Sequence, residues 1–325
     1  APRAPVRPAA SRMTVGGNGR IEPGATARIE MPVSWLIGTG SNDVTISALP
    51  AVELGGGLAY LLRYPHGCLE QTTSKSFPLL YLTDIAAELY PGWLDKEQVA
   101  RYVQDGIQRI LSMQRANGGF GLWQGCDVYR WGSVYATHFL VEASKAGYDV
   151  PSDRLQAACG YLLRFVSGRE GGDDGASDQV FDKSYAAYVL ALAGKAQHGA
   201  VGRLKDLPPD QIDAMSRVNV ACALIAAGLR KDARDVLAGI RGISARTVPR
   251  QQSGSLGSDA RDTAMLLSAL VDSDPANPLI PALVTRLNAA RISGCWYTTQ
   301  ENAMALMSLV KYCRLLQKER KPVSG

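Results

Sequence analysis

From Glu53 onward, almost every strongly periodic stretch of this sequence repeats at helical spacing. Segments 96–114, 132–145, 152–165, 184–196, 219–227, 259–271 and 299–316 place apolar residues at i, i+3, i+4 and i+7, on one face of an α-helix. The connections between them carry Gly, Pro, Asp and Ser, as in 147–151 and 272–278. The pattern predicts about twelve helices. Alanine-rich apolar helices recur around Ala136, Ala187, Ala223, Ala264 and Ala303, at intervals of roughly 35 to 50 residues, the length of a helical hairpin. Small residues let helices approach closely, which suits an inner ring flanked by longer outer helices. An open solenoid needs polar capping repeats at its ends, and the sequence offers none. The expected fold is therefore mainly α, an α/α toroid over residues 51–318 with 319–325 as a C-terminal tail.

The first fifty residues read differently. Segments 25–33 and 43–47 look like short strands, and two strands cannot bury a core alone. Residues 1–50 are thus expected to be a linker and a short N-terminal β segment from an adjoining β-domain. The opening Ala-Pro-Arg-Ala-Pro-Val-Arg-Pro has no apolar run behind its charges, so it reads as a linker rather than a signal peptide and suggests excision from a longer chain.

Composition narrows the function classes. With 325 residues, 46% hydrophobic and 20% charged, the chain has a globular balance and enough material for a sizeable core. No apolar run approaches the ~18 residues of a membrane span. The net charge of +5 is dispersed, apart from Lys318-Glu-Arg-Lys321, and no basic stripe with interleaved aromatics points to nucleic acid. Six cysteines stand at 68, 126, 159, 222, 295 and 313, none in a Cys-x-x-Cys pair, and there are three histidines, so no metal site is expected. Cys159, Cys222 and Cys313 fall inside apolar helical patterns and read as small buried hydrophobes. Cys126 and Cys295 lie in glycine-containing loops, and their pairing stays open.

The most informative stretch is Tyr64-Pro-His-Gly-Cys-Leu-Glu-Gln-Thr-Thr-Ser74. Pro65 and Gly67 make a turn that delivers Cys68 to a helix start, where a lowered pKa and a stabilised thiolate are expected. Gln71 follows three positions later, a neighbour on the same helical turn. Attack of the thiol on the Gln71 carboxamide, with loss of ammonia, would close an internal thioester, a better acyl donor than an amide. Leu69 cannot adopt positive φ cheaply, so the backbone is expected to stay right-handed or extended. Glu70 reads by default as a solvated acid at the helix start.

The string closely resembles the thioester motif of the α2-macroglobulin and complement superfamily, in the form Gly-Cys-Leu-Glu-Gln found in the bacterial α2-macroglobulins. The segments 114–123 (Gln-Arg-Ala-Asn-Gly-Gly-Phe-Gly-Leu-Trp), 131–136, 257–262 and 296–303 also look like stretches of that family's thioester domain. The resemblance implies an α/α toroid within a large protein that entraps or tags attacking proteases, an endopeptidase inhibitor reacting once rather than an enzyme. It implies a periplasmic or envelope-associated location. The partners would be target proteases, other domains of the same long chain, and an envelope or peptidoglycan-synthesis partner. By position Cys68 would be the thiol, Gln71 the acyl donor and Tyr64 an aromatic shield, with packing at a helix end the alternative for Tyr64. No cofactor is implied beyond the internal Cys–Gln cross-link.

Two other readings compete. Gln114, Gly118, Gly119, Phe120 and Trp123 also resemble the Gln-Trp repeats of α/α-toroid terpene cyclases and prenyltransferases, for which Asp272/Asp274 and Asp173/Asp174 would be the nearest acidic candidates. The third reading is a structural toroid with an idle motif. Some complement relatives carry a downstream histidine that takes over the acyl group, but the comparable loop here, 166–180, has none. His138 reads as a packed helix residue, His198 as following a helix end, and His66 as a possible acid–base group two residues before Cys68.

Overall fold

The computed structural model describes residues 54–82, 95–170, 176–238 and 256–319, with isolated positions 26, 28, 30, 38, 40 and 240. Apart from those positions, the strands expected in 25–33 and 43–47 lie outside the described residues. Among the described residues twelve helices follow in chain order: α1 (Gly55–Arg63), α2 (Leu69–Ser76), α3 (Lys96–Leu111), α4 (Arg130–Lys145), α5 (Ser152–Val166), α6 (Ala176–Leu192), α7 (His198–Lys205), α8 (Ala214–Ala226), α9 (Arg230–Ala238), α10 (Asp259–Ser273), α11 (Ile280–Ala289) and α12 (Thr299–Glu319).

Their packing is a closed ring. Helix α2 packs on α4, α4 on α6, α6 on α8, α8 on α10, α10 on α12, and α12 returns to α2. The remaining helices lie outside: α3 against α2 and α4, α5 against α4 and α6, α7 against α6 and α8, α9 against α8 and α10, α11 on α10, and α1 across α12 and α2. The α/α toroid expected from the recurring alanine helices is the fold observed. Ala136, Ala187, Ala223, Ala264 and Ala303 all sit on inner helices and all are buried.

The two layers follow from sequence pattern. Inner α4 buries twelve of its sixteen residues, because neighbours cover it on several sides. Outer α3 buries six of sixteen, the stripe Val99, Val103, Gly106, Ile107, Ile110 and Leu111, and leaves its other face to solvent. Gly106 decides how closely the layers meet, since a Cβ there would lie 2.0 Å from Ser76 Oγ on α2.

Helix ends shift from the expected ranges for local reasons. Helix α3 starts in a capping box, Asp95 accepting from the Gln98 amide at 2.7 Å. It ends at Leu111 rather than 114, because the Gln114 side chain turns to donate to the Gly118 and Arg154 carbonyls. Helix α6 starts well before 184 and stops at Leu192. Gly194, at φ 72°, closes it in a Schellman turn, with the Lys195 amide donating to Leu190 O and the Gly194 amide to Ala191 O. His198 corrects an expectation: it opens α7 instead of trailing a helix C-terminus.

Candidate functional site

Helix α2 begins where the motif predicted. Cys68 is its N-cap, at φ −68° and ψ 170°, the extended backbone that leads into a helix. The turn before it is braced by α3: Arg109 donates from Nε and Nη2 to the Gly67 carbonyl at 3.3 and 3.2 Å. Leu69 stays right-handed and is fully buried, and its amide donates to Leu122 O at 2.9 Å, which lays the 113–129 loop over the helix start. A Cβ on Gly132 would meet both the Tyr129 ring and Leu69, so glycine lets α4 close on the same turn.

Cys68 and Gln71 form a reciprocal capping box. The Gln71 side-chain carbonyl accepts from the Cys68 amide at 3.3 Å, while the Cys68 side chain takes the Gln71 amide. The sulfur and the carboxamide are thereby held on one helical turn. The electrostatics differ from expectation. Cys68 is 7% exposed, and burial pushes its thiol pKa up, with the Gln71 amide hydrogen bond pulling the other way. The helix start does not prevail over desolvation, so the lowered pKa expected from sequence is not found.

Glu70 is a second correction. Its carboxylate is buried beneath the motif rather than solvated: it accepts from Ser74 Oγ at 2.6 Å, and Thr299 Oγ1 lies 3.0 and 2.9 Å from its two oxygens. Ser74 in turn meets the Tyr135 hydroxyl at 3.1 Å. Burial raises the Glu70 pKa, and the two hydroxyl contacts counter it. Ser74, Tyr135 and Thr299 were not singled out by sequence. Thr299 lies 229 residues away.

Tyr64 caps α1 and is half-buried, its ring centroid 5.7 Å from both Tyr60 and His66. His66 is exposed on the turn. A second aromatic group, Tyr129, stands within electrostatic reach of Cys68 and Glu70, and burial raises its phenol pKa. It immediately precedes α4, next to the Trp131 segment.

The other candidates resolve differently. His138 is buried in mid-α4 with Nδ1 2.9 Å from Tyr185 OH, and burial lowers its pKa to about 4, so it is a packed, neutral residue. Among the described residues no group of three His, Cys, Asp or Glu could hold a metal, and no helix is long and apolar enough to cross a membrane. All six cysteines are free; Cys159 and Cys313 are buried and Cys222 partly so. Inner helices border a half-open pocket lined by Tyr81, His138, Tyr185, Tyr188, Asn219 and Lys311 among others. Asp272 is bound to Lys311 at 2.6 Å and Asp274 to Asn277, while 173 and 174 lie outside the described residues. Asp272 is thus already paired with Lys311, a cation that lines the pocket, which argues against its starting a carbocation there.

Comparison with known proteins bears on the same region. Residues 41–172 match the family model of the A-macroglobulin TED domain. The chain is 32% identical over 321 residues to alpha-2-macroglobulin of Escherichia coli (strain K12), covering 93% of this chain and 19% of that protein. It is 30% identical over 296 residues to alpha-2-macroglobulin of Xylella fastidiosa (strain Temecula1), covering 87% and 18%. The chain therefore spans about a fifth of the length of these curated relatives. Its fold is similar to native E. coli alpha-2-macroglobulin from domain MG7 to the C-terminus, with a TM-score of 0.70, 30% identity, and 79% of this chain and 42% of that one covered. Salmonella alpha-2-macroglobulin reacted with methylamine gives 0.70 at 29% identity, covering 84% and 18%. E. coli alpha-2-macroglobulin activated by porcine elastase gives 0.67 at 30%, covering 77% and 23%.

Proposed function

We propose that this chain, which belongs to the α2-macroglobulin family, is the acyl-donor domain of a bacterial protease trap. The observation that carries the reading is the reciprocal cap between Cys68 and Gln71. In the closing step, Cys68 Sγ bonds to Gln71 Cδ and the Cδ–N bond breaks. The thiol proton leaves with the nitrogen as ammonia, and a thioester remains. In the opening step a target amine bonds to Cδ, the Cδ–Sγ bond breaks, and the amine's proton passes to the departing sulfur. The target is left attached through an amide and Cys68 as a free thiol. Nothing regenerates the thioester, so the domain acts once and is an inhibitor's reactive part rather than an enzyme. It needs no cofactor.

The raised Cys68 pKa fits such a role. A sulfur whose anion is disfavoured is a poorer leaving group, which slows loss to water while the site is closed. The same buried surroundings, with Tyr64 and Tyr129 as candidate shields, limit water's access. Two relatives support the reading: one was solved after reaction with methylamine and another after activation by porcine elastase. On that basis the partners of the whole protein are attacking proteases and the other domains of its own chain; the family resemblance alone is the ground for also proposing a periplasmic or envelope-associated location and an envelope or peptidoglycan-synthesis partner.

With no histidine in 166–180 to carry the acyl group, attack is direct and the stronger nucleophile wins, so lysine amines outcompete hydroxyls. Competition between methylamine and glycerol for freshly prepared protein tests this. Methylamine should dominate; a clear preference for glycerol that disappears in His66→Ala would instead make His66 a catalytic acyl carrier.

A further inference from the structure

Glu70 takes no part in the acyl-transfer steps, yet its carboxylate bridges the seam where the first and last inner helices close the ring. We propose that Glu70 is a positioning residue: held by Thr299 of α12, it pins the first turn of α2 so that Cys68 and Gln71 stay in the paired geometry from which the thioester forms. This rests on the reading that the pair forms a thioester.

Three observations carry it. The first is placement. Glu70 lies between the two reacting residues on a single turn, and at about 100° per residue its side chain leaves the helix on the side away from Cys68. Cys68 and Gln71 share one face while Glu70 reaches inward to α4 and α12, through Ser74 to Tyr135 and directly to Thr299. A first helical turn is the part most prone to fray, because its leading amides lack intrahelical partners. Opening it would separate Sγ from the carboxamide. An inward anchor in the middle of that turn opposes the opening.

The second observation is its cost to the fold. The carboxylate is buried among hydroxyls, and no cation is among the groups that set its pKa. Burying a carboxyl this way is unfavourable compared with an apolar side chain of similar volume. Cohesion alone would be served better by a leucine, so the carboxyl is better explained by the directed bonds it makes.

The third is an internal control supplied by the same seam. Farther along, Arg314 of α12 donates from Nη2 to the Tyr81 carbonyl at 2.7 Å, beyond the end of α2. This tie also joins α12 to the α2 segment, but far in sequence from Cys68. A purely structural role for Glu70 predicts that loosening either tie has the same consequences; a positioning role predicts that they differ.

The experiment compares Thr299→Val, Thr299→Ser and Arg314→Met with the parent, in the full chain. The readouts are the fraction of molecules lacking one ammonia by intact mass, the rate of spontaneous thiol release in buffer, and Tm. Thr299→Val should release thiol roughly tenfold faster, or accumulate correspondingly less thioester, the scale expected for losing a hydrogen bond to a charged group. Thr299→Ser, which keeps the hydroxyl, should restore parent behaviour. Arg314→Met should lower Tm by as much or more while thioester content and release rate stay at parent values. Should Thr299→Val not fold, Glu70→Gln, which keeps one acceptor oxygen, carries the same comparison. Thioester content and release rate in Thr299→Val equal to those of Arg314→Met would overturn the proposal while leaving the thioester reading intact. A fresh parent with no ammonia deficit would sink that reading, and this inference with it.

Discussion

At the start of α2, Cys68 and Glu70 are buried with one residue between them; in the middle of α4 and α6, buried His138 and Tyr185 and partly buried Tyr188 line a half-open pocket. Both regions line the inner ring, and both hold titratable groups whose charged forms burial disfavours. They differ in chain position. Cys68 stands at a helix cap joined to a turn, and the loop above it leads outward through Leu122 and Trp123, 38% and 42% exposed. His138 lies mid-helix, its ring edge-on to Phe77 at 4.8 Å and to Tyr188 at 5.2 Å, with its Nδ1 occupied by Tyr185. Similar burial therefore accompanies a capping pair at a helix start in one place and a packed aromatic cluster in mid-helix in the other. What separates them is position in the helix and the partner: Cys68 pairs with Gln71 on its own turn, whereas His138 bonds Tyr185 across to α6.

The contrast breaks first at Cys68. Cys68→Ala should abolish methylamine incorporation while costing only about 1 kcal/mol of stability, the scale of a lost helix cap. Incorporation that persists in that variant would place the acyl donor elsewhere. The aromatic cluster should answer in the opposite way. With its pKa lowered from 6.5 to about 4, His138 favours the folded state when neutral. The stability it contributes is fully present above pH 6.5 and is lost as pH falls through about 4, a swing of about 3 kcal/mol across the window. Urea unfolding at several pH values should show that swing flattened in His138→Gln, with thioester content unchanged. An identical acid slope in the variant would assign the proton uptake to another group.

The smallest effect sharpens the boundary between the two regions. Tyr64→Ala should raise spontaneous thiol release several-fold through easier access of water. If Tyr64→Ala matches the parent and Tyr129→Leu does not, the shield belongs to the residue before α4 and not to the turn before α2.

The helical class, the ring and the placement of Cys68 and Gln71 on one helical turn were legible in the sequence, because each of these geometric features rests on spacing. Alanine recurrence marks inner helices, and i, i+3 marks one helical face. Glu70 was misread for a physical reason. The second position of a helix is solvated or buried depending on what packs there, and here that is Thr299 and, through Ser74, Tyr135, which local pattern does not reveal. The Cys68 pKa was misread for the same reason: the helix-start effect is local and visible, whereas the desolvation that outweighs it comes from the assembled fold. His198 was misplaced because α6 stops at Leu192, leaving room for a connection before α7. Tyr129 carries no motif of its own, and its nearness to Cys68 comes from α4 closing over Leu69 at Gly132.

Intact-mass measurement of freshly prepared protein, before and after methylamine, tests the central claim most directly. The thioester reading predicts a mass lower than the sequence mass by one ammonia, then a gain of one methylamine together with one newly titratable thiol at Cys68. A fresh sample at full sequence mass, unchanged by methylamine and already showing Cys68 as a free thiol, would contradict it.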